Sequence, residues 1–148
     1  MQRAWQRHDR LSVIASLHIS PRRRLGHHFT IHSHNVRTPD VVAYLEDLHR
    51  QLRRPLIVVM DRLPAHRSAV RQLRERGASW LHVEWLPGYA PELNPVEALW
   101  SYSKYSALAN FVPDSPDELF DAVLDVVGDV HFDPPLLASF FQSAHLRL

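Results

Sequence analysis

From Leu86 to Trp100 the chain reads Leu-Pro-Gly-Tyr-Ala-Pro-Glu-Leu-Asn-Pro-Val-Glu-Ala-Leu-Trp. Proline or glycine at 87, 88, 91 and 95 stops any strand or helix from running through it. The stretch must open as a loop, and regular structure resumes at Asn94-Pro95, where asparagine as N-cap and proline at N1 start a helix. Two carboxylates, Glu92 and Glu97, stand at that junction. Upstream, Trp80 to Leu86 reads as a strand whose Leu81, Val83 and Trp85 share a face. Further back, Leu56-Ile57-Val58-Val59-Met60 is a continuous apolar run ending in Asp61. Such runs suit a central strand covered on both faces. Between the two strands, Pro64 to Arg76 has helical spacing, with Ala69, Val70 and Leu73 inward and Gly77 just past its end. Strand, helix, strand implies parallel pairing, and ligands gather at the carboxyl ends of such strands. Asp61 and the Leu86 loop both fall there.

The remaining elements fit around this unit. Leu11 to Ser20 alternates, with Leu11, Val13, Ala15, Leu17 and Ile19 on one face, as in a half-buried strand. Pro21-Arg22-Arg23-Arg24 and Gly26 read as a turn, and His27 to His32 as an antiparallel partner with Phe29 and Ile31 inward. Thr38-Pro39-Asp40 starts a helix with threonine as N-cap, and Val41, Leu45, Leu48 and Leu52 follow at helical spacing. The helix from Asn94 is expected to run to about Asn110. Ser115 caps another, which Gly128 closes, and Pro134-Pro135 precedes a short apolar tail. The implied fold class is α/β, with an antiparallel pair followed by a parallel part.

Composition narrows the chemistry. At 148 residues with 45% hydrophobic content the chain is one domain or part of one. The net charge of +1 favours no partner class, but Lys104 is the only lysine among 17 basic residues. Many of the arginines fall in Arg22-Arg23-Arg24, Arg50 to Arg54 and Arg67 to Arg76; arginine forks suit phosphate, and solvated helix faces explain each cluster as well. The absence of cysteine excludes disulfides and thiolate metal sites. No apolar run approaches a membrane span and no signal peptide is present, so a soluble intracellular protein is expected.

Asp61 has two readings. It is a turn aspartate accepting backbone N–H groups, or a carboxylate that holds a metal with Glu97. Glu97 is either the N3 partner of Asn94 in a capping-box variant or a metal ligand, and the two roles are compatible. Facing carboxylates without thiolates suit Mg²⁺ or Mn²⁺. Two such ions about 3.5–4 Å apart can cleave a phosphodiester, normally with a third bridging carboxylate. His66 could contact DNA, assist proton transfer or stand in solvent. Tyr89 could stack on a base or pack as a lid, and Lys104 could reach a phosphate or face solvent. His32 and His34 have same-face strand spacing but lack an evident zinc ligand set. Leu99 and Trp100 anchor their helix on the sheet.

The run Val59-Met60-Asp61 with His66, followed by Leu86 to Trp100, resembles the second half of a Tc/mariner-related bacterial insertion-sequence transposase. The family's loop resembles Leu-Pro-Pro-Tyr-Ser-Pro-Glu-Leu-Asn-Pro-Ile-Glu ahead of a tryptophan. The resemblance covers roughly Trp5 to Val127. It implies a DDE catalytic domain with a ribonuclease H-like mixed sheet flanked by helices. Asp61 and Glu97 would be the second and third catalytic acids, holding Mg²⁺ or Mn²⁺ for DNA cleavage at transposon ends and strand transfer into a target. Asn94 and Pro95 would shape the loop that aims Glu97. His66, Tyr89, Asn94 and Lys104 are the expected DNA contacts.

Two departures stand out. Arg62 replaces the family's usual asparagine after the second acid. The first acid has no counterpart either, because Asp9 precedes the first strand in the wrong context. The expectation is a single truncated catalytic domain, residues 1–148, lacking its first strand and its helix-turn-helix region, and inactive alone. A homo-oligomer or a complementing transposase chain would then be its partner, in the nucleoid of a bacterium. The alternative is a non-catalytic DNA-binding or interaction remnant of the same fold.

Overall fold

A computed structural model describes residues 11–104 and 108–146. The chain divides into two compact units, one of residues 36–94 and one built from the residues on either side of that segment. Among the described residues the four strands form two two-stranded sheets, one in each unit. Asp9, the only upstream acid considered for the missing role, lies outside the described residues.

The flanking unit begins with an antiparallel hairpin of β1 (Ser12–Ile19) and β2 (Leu25–His32), paired Ala15 to Phe29 and His18 to Gly26. The expected inward face is met in part, and Ile19, expected inward, is 44% exposed. Ala15 and Leu17 of β1 and Leu25 and Phe29 of β2 all pack on the core. The turn is tighter than the sequence implies. Ser20 N–H donates to Arg24 O at 2.9 Å, Arg23 takes a positive φ of 60°, and the second strand starts at Leu25. Gly26 therefore belongs to the strand, where a Cβ would run into the His18 ring across the hairpin.

Among the described residues this unit also holds three α-helices, α3 (Pro95–Tyr102), α4 (Pro116–Asp129) and α5 (Pro134–Ser143). Leu99, Val127, Val130, Leu137 and Phe140 form its buried centre. Full burial of such a side chain contributes about 1.5–3 kcal/mol. Ser115 caps α4 by accepting the Glu118 N–H at 3.1 Å, as its position predicts. Three boundaries differ from expectation. Residues 108–110 lie in a bend and turn, with Leu108 N–H donating to Ser103 O at 3.0 Å, so the described helix stops short of Asn110. Gly128 lies inside α4, 3.9 Å from the Phe29 ring as measured from an added Cβ, so it serves contact with β2 rather than termination. The apolar tail is a helix, because Asp133 accepts the Leu136 N–H at 3.1 Å and the two prolines occupy the first turn, which needs no donors.

The central unit holds α1 (Thr38–Leu52), β3 (Leu56–Met60), α2 (Pro64–Glu75) and β4 (Leu81–Trp85). The cap of α1 falls one residue earlier than Thr38. Arg37 is N-cap, and its N–H donates to the Asp40 carboxylate at 2.8 Å. Gly77 ends α2 with φ +77°, the left-handed conformation glycine tolerates. Strands β3 and β4 pair in parallel from Leu56–Leu81 to Met60–Trp85, and the ladder continues through Leu86 N–H to Met60 O at 2.8 Å. Trp80 precedes β4 and stacks on His49 with centroids 4.2 Å apart. The expectation that β3 is covered on both faces is corrected. Leu56 and Met60 are buried, but Ile57 is 75% and Val59 57% exposed. Successive side chains of a strand point to opposite faces, so an unbroken apolar run records what a strand could bury, not what covers it.

Candidate functional site

Asp61 follows β3 directly, at its carboxyl end. Its Oδ1 lies 2.7 Å from His66 Nδ1 and accepts the Leu63 N–H at 3.3 Å. The same His66 nitrogen is 3.3 Å from the Asp61 carbonyl oxygen. Both partners are acceptors, so Nδ1 carries the proton and donates, which fixes the imidazole tautomer. The spacing of five residues puts His66 in the first turn of α2, where its ring reaches back over the loop. The turn reading of Asp61 thus holds for one oxygen. The carboxylate remains 45% exposed, so burial does not close off its second oxygen.

The loop after β4 runs through Pro87 and Gly88 to a short 3-10 turn, Pro91–Leu93. Tyr89 stands at its tip with φ 58° and a fully exposed side chain, 105% of the reference area. That exposure removes the lid reading, since the ring packs on nothing. Asn94 takes an extended backbone, φ −103° and ψ 112°, and its N–H donates to Pro91 O at 3.0 Å. It is thereby placed as the residue before α3.

Glu97 lies in the first turn of α3, exposed to solvent. Among the described residues no hydrogen bond or ion pair engages its carboxylate, so the capping-box reading is not realised. Leu99, two residues on, is fully buried in the unit's centre, and Trp100 packs against it. This anchors the helix as expected and orients its first turn. Lys104 follows the helix and is exposed. Asp61, His66, Tyr89 and Asn94 belong to the central unit, and Glu97 and Lys104 to the flanking one.

The donor chemistry fits a hard divalent cation. Asp61 and Glu97 each offer an exposed carboxylate, a hard oxygen donor, and the chain has no cysteine thiolate. Sequence reasoning placed His66 near Asp61 but missed that it orients the acid.

The histidines of the hairpin do a different job. His27 Nε2 donates to Val127 O at 2.8 Å, and its ring stacks on Phe29 at 5.7 Å. His18 and His27 titrate below the usual histidine range, first because burial disfavours the cation. For His18, neighbouring His27, His28 and His131 add to this; for His27 the Val127 carbonyl opposes it, and His131 and His28 reinforce it. In β2, His32 Nε2 pairs with Thr30 Oγ1 at 2.9 Å, and the His32 and His34 rings meet edge-on at 5.4 Å.

A family model described as DDE superfamily endonuclease matches residues 2–119. No curated protein matches the chain.

Proposed function

The chain belongs to the DDE superfamily endonuclease family, and from that premise we propose that it supplies two of the three catalytic acids of a transposase-type nuclease. Enzymes of this superfamily use divalent metal ions, and their nuclease domains act on DNA. The observation that carries the assignment is Asp61 at the carboxyl end of β3, held by His66 at 2.7 Å with half its surface open. Asp61 and Glu97 would hold Mg²⁺ or Mn²⁺. The bound ions would activate water and stabilise the leaving oxygen of a phosphodiester. His66 keeps Asp61 in one rotamer and one hydrogen-bonded state, so the carboxylate presents the same oxygen to the cation. Tyr89 offers a ring for base stacking, and Asn94 sets where α3, and with it Glu97, begins. Lys104 would meet a DNA phosphate, and His66 would donate to one through Nε2 when the ring is protonated.

In this reading the strands belong to a ribonuclease H-like mixed sheet, of Tc/mariner-related, insertion-sequence type. The first acid is supplied from outside these residues, by upstream sequence or a complementing chain, and the chain alone leaves DNA uncut. Titration with Mn²⁺ tests the acids: Asp61→Ala and Glu97→Ala should each weaken binding at least tenfold. Unchanged affinity in both variants sinks the metal role. Mg²⁺-dependent nicking of transposon-end DNA by the purified chain, lost in Asp61→Ala, overturns the claim of inactivity. A non-catalytic DNA-binding module is the second reading, favoured by the want of a third acid in suitable context.

A further inference from the structure

Away from Asp61, the central unit has a depression of about 690 Å³ lined by Arg37, Thr38, Pro64, Ala65, Arg67, Ser68 and Arg71. Three arginines and two hydroxyl-bearing residues line it, and no acidic residue does. Arg67 and Arg71 are one turn apart on α2, about 5–6 Å between Cβ atoms, where like charges repel. Elsewhere in this unit two arginines are paired, Arg76 with Glu46 at 3.1 Å and Arg50 with Asp47 at 3.4 Å. Among the described residues Arg37, Arg67 and Arg71 have no such partner. The helix that carries two of them contains a single acid, Glu75, at its far end. Pro64, Arg67, Ser68 and Arg71 recur at helical spacing on the side of α2 opposite Ala69, Val70 and Leu73, which are buried. The basic wall is therefore set on a helix fixed by its own core. An open depression with a basic lining of this kind suits an extended polyanion whose charges repeat, and guanidinium forks match phosphate oxygens two at a time.

We propose that Arg37, Arg67 and Arg71 form a clamp for the phosphodiester backbone of DNA, distinct from the carboxylate site. It positions the duplex without reading its sequence. The inference rests on the reading of the chain as DNA-acting, but it does not need metal or cleavage.

The test is binding of the full chain to a fluorescent duplex in EDTA, between about 50 and 200 mM salt. Arg67→Gln with Arg71→Gln should weaken binding about tenfold or more and reduce the slope of log K against log salt by about 2. An equal charge change in the hairpin turn, Arg22→Gln with Arg24→Gln, should leave the slope nearly unaltered. Circular dichroism and thermal melting confirm that both variants are folded; if the groove pair fails to fold, Arg67→Lys with Arg71→Lys replaces it, keeping the charge and losing the fork, and should weaken binding severalfold. Inorganic phosphate at matched ionic strength should not displace the duplex. The proposal falls if the parent chain does not bind DNA. It also falls if the folded groove variants bind like the parent, if the hairpin variants lose as much, or if free phosphate competes and the groove substitutions abolish that competition. Unchanged Mn²⁺ affinity in Asp61→Ala and Glu97→Ala with the slope change intact would sink the catalytic reading and leave the clamp standing.

Discussion

Tyr89 combines two costs that a residue without a role would shed. Its φ of 58° is left-handed, a conformation that costs non-glycine residues about 1–2 kcal/mol, and its ring gains nothing from packing. Tyr89→Gly should therefore raise the stability of the chain by roughly 0.5–1 kcal/mol in urea unfolding, after allowing for glycine's greater freedom when unfolded. If the ring stacks on a base, the same variant should weaken DNA binding by about 1–3 kcal/mol. A variant less stable than the parent refutes the strain argument. Gly26 shows the opposite logic, a position where a side chain is forbidden by its neighbour. Gly26→Ala should cost about 1–3 kcal/mol by forcing the His18 ring aside, and His18→Ala in the same chain should recover most of that loss. Thermal melts of the two single variants and the double variant measure the coupling directly. Gly26 reads in sequence as a turn glycine because glycine signals turns locally, whereas its reason for being here lies eight residues back, across the hairpin.

At the scale of elements, the hairpin and α4 are tied through an imidazole, His27, whose neutral form burial favours. His27 donates into the last turns of α4, and His18 lies beside it. Both titrate below the usual value of 6.5 when folded and return to it when the chain unfolds. Below 6.5 the unfolded chain therefore binds more protons than the folded one, and stability falls as pH falls from there toward the folded values. Above 6.5 this contribution to the pH dependence vanishes. The urea midpoint should be lower at about pH 5.5 than at about pH 7.5, and substituting both histidines by asparagine should flatten that difference. An undiminished pH dependence in the double variant would show that other groups cause it. The elements themselves were legible wherever one local rule governs. Alternation marks the hairpin, spacing marks α1 and α2, and Ser115 marks the start of α4. Helix α5 was hidden because Pro134-Pro135 signals a break, yet the first turn of a helix is the one place where missing donors cost nothing. The open face of β3 was hidden because an apolar run says nothing about what lies opposite.

Over the whole molecule, legibility came from a different source. Asp61, His66, Asn94 and Glu97 were singled out because loop grammar and strand ends are encoded locally, and because the Leu86–Trp100 wording matches a family. The run Arg67 to Arg76 reads as a phosphate-suited cluster, but nothing local joins Arg37, which precedes another helix, to Arg67 and Arg71. Only tertiary packing of α1 on α2 shows that they share a depression. Nor does any local signal show that residues 36–94 form their own unit, splitting the other into two stretches of chain.

That split has a consequence during synthesis on the ribosome. The hairpin is made first, but the residues that bury Ala15, Leu17 and Phe29 come from the segment beyond Pro95. At about 5–20 residues per second, translating the intervening stretch takes roughly 3–12 s. For that time the nascent ribbon must keep its sticky side out of trouble, while the inserted unit, whose partners are all near in sequence, can already close upon itself.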